Sequence, residues 1–308
     1  MLMLRCVVIG IGVFLMASSA QTTTAVIHGT VSDTSGAVVP GARVSATLTG
    51  TGEVTTTPTN ADGNYVFAAL KPGTYTVEVE MASFKKAVRS GILLEVNQRA
   101  RVDMSLQVGE TKDIVAVVAD ATTVDTFSSS IKEVVDSRRI VDLPLNGRNA
   151  LQLQALLPGS IQVGTGQAAS LIALNTGMSF AINGTRANAS TYTLDGGINM
   201  DMYNNLATAF PNPDALQEFS VLQNNYSAAY GRNAGAVVNM VTRSGTNQFH
   251  GTLYEFLRNT RLNTRNFFAV DRPPLHRNQF GGTVGGPIRR NSTFFFFSYE
   301  GMRERSAR

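Results

Sequence analysis

The sequence predicts a mainly β protein in three parts: an N-terminal β-sandwich, a mixed α+β stretch, and a last run of strands that reads as the start of a transmembrane β-barrel wall. Three observations carry this. Up to about residue 108, short runs of alternating apolar and polar residues are separated by Asp-Gly and Pro-Gly turns. Between 131 and 245 short apolar helical pieces are mixed with strands. After Thr246 come three aromatic and glycine-rich runs, two of them with clear alternation.

The bulk properties set the frame. With 308 residues the chain has room for two or three domains and a real core. Only 16% of residues are charged, against about 25% in an ordinary soluble protein, while 43% are hydrophobic. Something other than surface charge keeps this chain in its working environment. The net charge of +4 is uneven: ten Arg and four acids after Thr246 make +6, which leaves −2 for everything before. Those Arg residues are scattered between aromatic and Gly segments with no basic recognition helix, so no nucleic-acid partner is expected.

The opening MLMLRCVVIGIGVFLMASSAQ has one Arg, an apolar run from Cys6 to Met16 and a small-residue exit at Ser18-Ser19-Ala20. That is the layout of a secretory signal peptide over 1–20. The apolar run is shorter than the roughly 20 residues of a spanning helix. Cys6 is the only cysteine and lies inside this leader, so the mature chain is expected to have no thiol, disulfide or Cys-based metal site.

The sandwich is expected over 21–107. VIHGTV at 26–31 and ARVSATL at 42–48 alternate at period two, and DTSG at 33–36 and NADGN at 60–64 are turns. YVF at 65–67, the KPG turn at 71–73 and TYTVEVE at 74–80 continue the pattern, giving an antiparallel sandwich of about seven strands. Asn60, Asp62 and Asn64 resemble calcium ligands, but no Glu follows at the required spacing, and a hairpin turn explains them. Residues 108–130 read as a linker. Within it Asp113, Ile114, Val115, Ala116, Val117 and Val118 form a β-prone piece, either the first strand of the next domain or a segment that adds to a partner's sheet edge.

From 131 to 245 the pattern is α+β. Residues 133–140 read as one or two helical turns, and 150–157 as a short apolar helix stopped by Pro158-Gly159. FAINGTR at 180–186 and YTLDGG at 192–197 read as a strand pair with tight turns, and 213–222 as a helix start running into a strand. Further on, 251–257, 279–286 and 293–300 are strand candidates. Phe280, Gly282, Val284 and Gly286 alternate with Gln279, Gly281, Thr283 and Gly285; Phe295, Phe297 and Tyr299 share a face opposite Phe294, Phe296, Ser298 and Glu300. A barrel wall and a soluble sheet of aromatic strands read alike on alternation alone.

Enzyme chemistry finds little footing. There is no GxSxG elbow, no HExxH or HxxE motif, and His28, His250 and His276 are far apart in the chain. Asp195 and Asp201 sit among turn residues, where a carboxylate usually caps a backbone N–H. No catalytic residue, metal or cofactor is expected.

Two resemblances add to this reading. The segment IHGTVSDTSGAVVPGARVSATLTGT followed by TNADGNYVFAALKPGTYTVEVEMASFKKAV resembles the carboxypeptidase regulatory-like domain, an accessory sandwich that is transthyretin-like or Ig-like and non-catalytic. LPLNGRNALQLQALLPG at 143–159, FAINGTRANASTYTLDG at 180–196, the long run from 213 to 259, RNFF at 265–268 and RNQFGGTVGGPI at 277–288 followed by TFFFFSYEGMR together resemble the Oar-like group of TonB-dependent outer-membrane receptors. The resemblance implies a plug domain over 131–245 and the start of a barrel over 246–308. It also implies an outer-membrane location with a periplasmic sandwich, a TonB-type inner-membrane energy-transducing partner, and uptake of a bulky solute of unknown identity, such as a carbohydrate or peptide. Plug loops at Asn183, Gly184 and Arg186 and at Asp195 and Gly196 are the candidate solute contacts, and 113–118 the candidate segment for pairing with the transducer.

A plugged barrel has about 22 strands, and this sequence supplies roughly three. An open sheet in hydrocarbon leaves edge N–H and C=O groups unpaired. The chain is therefore expected to be the N-terminal part of a longer receptor or the product of a truncated gene, and not to transport alone. The competing class is a secreted or surface β-sandwich adhesion or carbohydrate-binding protein; it accounts for the leader and the sandwich but not for the plug-like motifs or the Phe-rich strands.

Overall fold

The computed structural model describes residues 24–109, 114–118, 130–163, 179–226, 230, 232–265, 267–268, 270–272 and 274–306. The leader expected over 1–20 and Asp113 lie outside these residues.

The first part is a two-sheet sandwich built from β1 (Ala25–Asp33), β2 (Arg43–Leu48), β3 (Val54–Pro58), β4 (Asn64–Leu70), β5 (Gly73–Glu80), β6 (Lys86–Leu94), β7 (Arg99–Arg101), β8 (Met104–Leu106) and β9 (Ile114–Val118). One sheet runs β4-β1-β7, with β8 also on β1, and the other β3-β2-β5-β6-β9. The period-two patterns close the core: Ile27 and Val31 of β1, Val44 and Ala46 of β2, and Val77 and Val79 of β5 are completely buried. Each fully buried Val or Ile side chain stabilises by about 1.5–3 kcal/mol. Asn60 makes the expected turn, its side-chain oxygen accepting from the Asp62 and Asn64 N–H groups at 3.0 and 2.8 Å.

Two features of the sandwich differ from the sequence reading. It is not purely antiparallel, because β7 and β8 run parallel to β1 and β9 runs parallel to β6. The piece at 114–118 is then neither linker nor the first strand of the next domain. Its β-branched run takes the edge of β6, which would otherwise be left with unpaired backbone groups.

The middle part contains β10 (Ile131–Asp136), α1 (Ser137–Asp142), 3₁₀ turns at Asn146–Arg148 and Ala150–Leu156, β11 (Ser160–Val163), β12 (Ser179–Ile182), β13 (Thr191–Leu194), β14 (Gly197–Ile198), β15 (Met200–Asp201), β16 (Leu206–Ala207), a 3₁₀ turn at Pro213–Ala215, β17 (Leu216–Asn224) and β18 (Val237–Thr242). Its main sheet is β10-β17-β18-β13-β14, and Phe219, Val221, Val238 and Met240 carry its core together with Ile140, Leu151, Leu153 and Tyr192. The helix expected over 133–140 is strand in its first half, up to Asp136, and helix in its second. IKEVVD pairs antiparallel with β17, and helix starts only after Asp136, whose Oδ1 accepts from the Arg138 and Arg139 N–H groups at 2.9 and 3.0 Å. The strand pair expected from 180–186 and 192–197 does not form either. Two successive tight turns, Thr185 N–H to Ile182 O and Ala189 N–H to Arg186 O, carry the chain away instead of reversing it. As a result β12 pairs with β11, and β13 lies parallel to β18.

The third part is an open antiparallel sheet of β19 (His250–Asn259), β20 (Leu275–Arg289) and β21 (Thr293–Ser306). These strands have 10, 15 and 14 residues, enough to cross the hydrocarbon layer, which takes about 9–11 tilted residues. The predicted faces are present. Gln279 and Thr283 are buried on one side, whereas Leu253, Val284, Phe297 and Tyr299 are exposed on the other.

Candidate functional site

The middle part and the long strands meet at a buried cluster of charge centred on Arg148. This residue closes the short turn after LPLN, where Gly147 and Arg148 both have positive φ, 69° and 54°. Gly147 fits that region readily; for Arg148 it is uncommon. The turn drives the guanidinium toward the sheet. Its Nη2 pairs with Asp214 and its Nε with Glu300 Oε2 at 2.8 Å. The side chains of Arg148 and Asp214 are only 8% and 5% exposed.

Aromatic and hydroxyl groups complete the cluster. The guanidinium carbon lies 4.1 Å from the Tyr254 ring centre and 4.8 Å from that of Phe256, two residues on the same face of β19. Tyr254 donates its hydroxyl to Glu300 at 2.9 Å, and Thr252 donates to Asp214 at 3.2 Å. Burial alone would pull the Arg148 pKa down, but the hydrogen bonds and charges of Glu300 and Asp214 outweigh it and the net shift is upward. The guanidinium therefore stays charged. Outer contacts continue the seam: Gln279 donates to Gly147 O at 3.2 Å, Arg258 to Asn146 Oδ1 at 2.9 Å, and Asn212 to Ser298 Oγ at 2.9 Å.

Close backbone approach makes room for this arrangement. A Cβ at Gly281 would lie 2.3 Å from Tyr299 O and 2.6 Å from the Tyr254 hydroxyl oxygen. Chemically the cluster holds surfaces together. Its acids already face a cation, and among the described residues no group of three or more His, Cys, Asp or Glu side chains is arranged to hold a metal ion.

Three comparisons bear on what this joint belongs to. Residues 241–308 match the family model of an outer membrane beta barrel domain, and residues 26–107 that of a carboxypeptidase regulatory-like domain. The TonB-dependent transporter Oar of Myxococcus xanthus is 30% identical to this chain over 304 residues, 92% of the chain. The chain is homologous to this TonB-dependent transporter. It spans 27% of the transporter's length. Among solved structures, the siderophore receptor PirA of Acinetobacter baumannii overlaps 61% of this chain and 26% of its own at 19% identity and a TM-score of 0.43. The ferric citrate transporter FecA overlaps 58% of this chain and 26% of its own at 18% identity and a TM-score of 0.44. At such scores neither overlap adds to the assignment.

In this transporter homologue none of the described hydrogen bonds of the residues singled out from sequence reaches Arg148, Asp214 or Glu300. Asn183 and Gly184 have φ of 53° and 76° in an exposed turn after β12, with Asn183 N–H bonded to Gly159 O at 2.9 Å. Arg186 is exposed nearby. Asp195, φ 49°, and Gly196, φ 82°, turn the chain after β13. The Asp195 carboxylate accepts from the Thr242 N–H and hydroxyl at 2.8 and 2.9 Å. Ile114–Val118 is β9, at the outer edge of its sheet.

The sequence reading placed Arg148 and Glu300 inside quoted motifs without giving them a role, and did not connect Asp214 to either. One local signal was present: Glu300 is an acid on the polar face of an otherwise Phe-rich strand. Nothing local pairs it with residue 148.

Proposed function

We propose that this chain is the N-terminal part of an energy-coupled outer-membrane transporter for a bulky solute. In this reading the middle part is the plug, β19–β21 are the first strands of the barrel wall, and the sandwich faces the periplasm. The observation that carries it is the Arg148 cluster, which fixes a polar, packed seam on one face of strands whose other face exposes Leu253, Leu257, Val284, Phe297 and Tyr299, with Glu255 the acid among them. That two-faced wall, with polar groups turned toward a filling domain and apolar groups turned outward, suits a sheet lying between lipid and a lumen. The homology supports the same class.

The partners follow from this reading. A TonB-type inner-membrane complex supplies the energy, and the edge strand β9, one side of which is already bonded to β6, is the segment proposed to take up a transducer strand by edge addition. Asn183, Gly184, Arg186, Asp195 and Gly196 are proposed as loop contacts for the solute. Of these Arg186 is the most available, because the Asp195 carboxylate is held by Thr242.

Cell fractionation tests the proposal. The full-length protein is expected to sediment with outer membranes and to resist extraction by salt. Recovery in the soluble periplasm or the medium would replace the transporter by a secreted adhesion or carbohydrate-binding protein.

A further inference from the structure

Among the described residues, two clusters of hydrogen bonds fasten the sandwich to the remainder of the molecule, besides the single bond from Gln217 Nε2 to Pro72 O at 3.3 Å. At the first, the turn between β2 and β3 meets the connector leading into β19. Asn247 donates its N–H to Gly50 O at 2.9 Å and its side-chain amide to Thr51 O at 2.8 Å and Asn291 Oδ1 at 2.7 Å. At the second, the corner between β6 and β7 sits on β17. Glu218 accepts the Val96 N–H at 3.0 and 3.2 Å, and Lys132 Nζ donates to Val96 O at 2.7 Å and to Glu95 Oε2 at 3.2 Å.

This second contact is unlike either core. Val96 is completely buried yet belongs to neither hydrophobic cluster. The face of β17 that carries Glu218 continues with Ser220, which pairs in register with Asn239 of β18, and both are only 1% exposed. Ser220 Oγ and Asn239 Nδ2 have no hydrogen-bond partner. A permanent core would be expected to satisfy or exclude such groups; a mixed face, on which buried Leu222, Val237 and Val241 lie beside them, suits a domain contact that forms and breaks.

We propose that Glu218 and Val96 form a proton-operated clasp, which holds the sandwich on the middle domain while the carboxyl is neutral and loosens when it ionises. An ionised Glu218 would have to remain buried, at 6% exposure, with the Val96 N–H and a Lys132 already shared between Val96 O and Glu95. The other charged groups lining the same cleft are engaged elsewhere. Asp136 caps α1, Arg243 donates to Leu216 O at 3.1 Å, and His250 Nδ1 lies 3.1 Å from Gln248 O. Burial pushes the Glu218 carboxyl up to about 7, against the opposing pull of Lys132 and the Val96 N–H.

The sign follows from linkage. Released into water, Glu218 returns toward its ordinary value of 4.5, so docking takes up a proton. The clasp is at full strength below 4.5 and is lost as pH rises through about 7. The inference concerns the sandwich contact alone and does not depend on transport.

A disulfide trap reads the docked state. A Cβ built at Gly50 would lie 3.9 Å from Thr246 Cβ, within the range for a disulfide. In the full chain carrying C6S, G50C and T246C, the rate of disulfide formation is compared with that of the same chain carrying E218Q, which keeps an acceptor for the Val96 N–H but cannot ionise. Dividing by the E218Q rate cancels the pH dependence of the thiols themselves. The ratio is expected to fall at least tenfold from pH 5 to pH 8. A flat ratio, or no disulfide in either chain at pH 5, would overturn the clasp. Should E218Q fail to accumulate, K132M serves as the comparison. Loss of the nearby cation is expected to move the midpoint to higher pH, and an unchanged profile would overturn the proposal equally.

Discussion

Replacing Arg148 by Met is the sharpest perturbation of the joint. Methionine approximates the aliphatic stem but removes the cation between Asp214 and Glu300, whose side chains are 5% and 20% exposed. Leaving a buried charge without its partner typically costs about 3–5 kcal/mol. Loss of the stacked guanidinium over Tyr254 adds roughly 0.5–2 kcal/mol. Relaxation of Glu300 toward water offsets part of this, so the expected loss is about 3–5 kcal/mol in total. Urea unfolding of the detergent-solubilised protein, followed by circular dichroism, measures it. The triple variant R148M/D214N/E300Q removes all three charges together and is expected to recover most of the loss, because the penalty comes from the orphaned acids and not from the absence of a bond. A loss below about 1 kcal/mol for R148M would refute the reasoning, since that is the size of an exposed ion pair. So would a triple variant less stable than R148M.

Other perturbations test separate parts. Phe219→Ala, at a position 1% exposed in the middle core, is expected to cost about 3–5 kcal/mol in the same urea experiment. Gly281→Ala places a Cβ against Tyr299 O and the Tyr254 hydroxyl, and is expected to cost about 1–3 kcal/mol and to open the pairing of β20 and β21 to proteolysis. Asp195→Ala removes two hydrogen bonds to Thr242; the expected loss is about 1–3 kcal/mol, with faster amide exchange at the end of β18.

What could be read from sequence was whatever depends on near neighbours. β1, β2 and β5 of the sandwich and the long strands β20 and β21 show period-two alternation, and each lies where the pattern put it. The errors fall where a local pattern fits two partners equally well. IKEVVD has both helical and strand character; pairing with β17 and the cap at Asp136 decided between them. TYTL would hairpin with the strand before it on proximity alone, but a better apolar partner, VVNM of β18, stands more than forty residues further on. The same limit hid the joint. Arg148 lies 66 residues from Asp214 and 152 from Glu300, and no periodicity links charges so far apart.

The claim that the sheet of β19–β21 stands between lipid and the middle domain is tested most directly by labelling a cysteine at Leu253. This side chain is 92% exposed on the sheet's outer face. In outer membranes holding the full-length protein with C6S and L253C, rapid reaction is expected with a lipid-soluble maleimide and almost none with a charged, water-borne one, while both react once the membrane is dissolved and the protein unfolded. Equal labelling by the two reagents in intact membranes would contradict it.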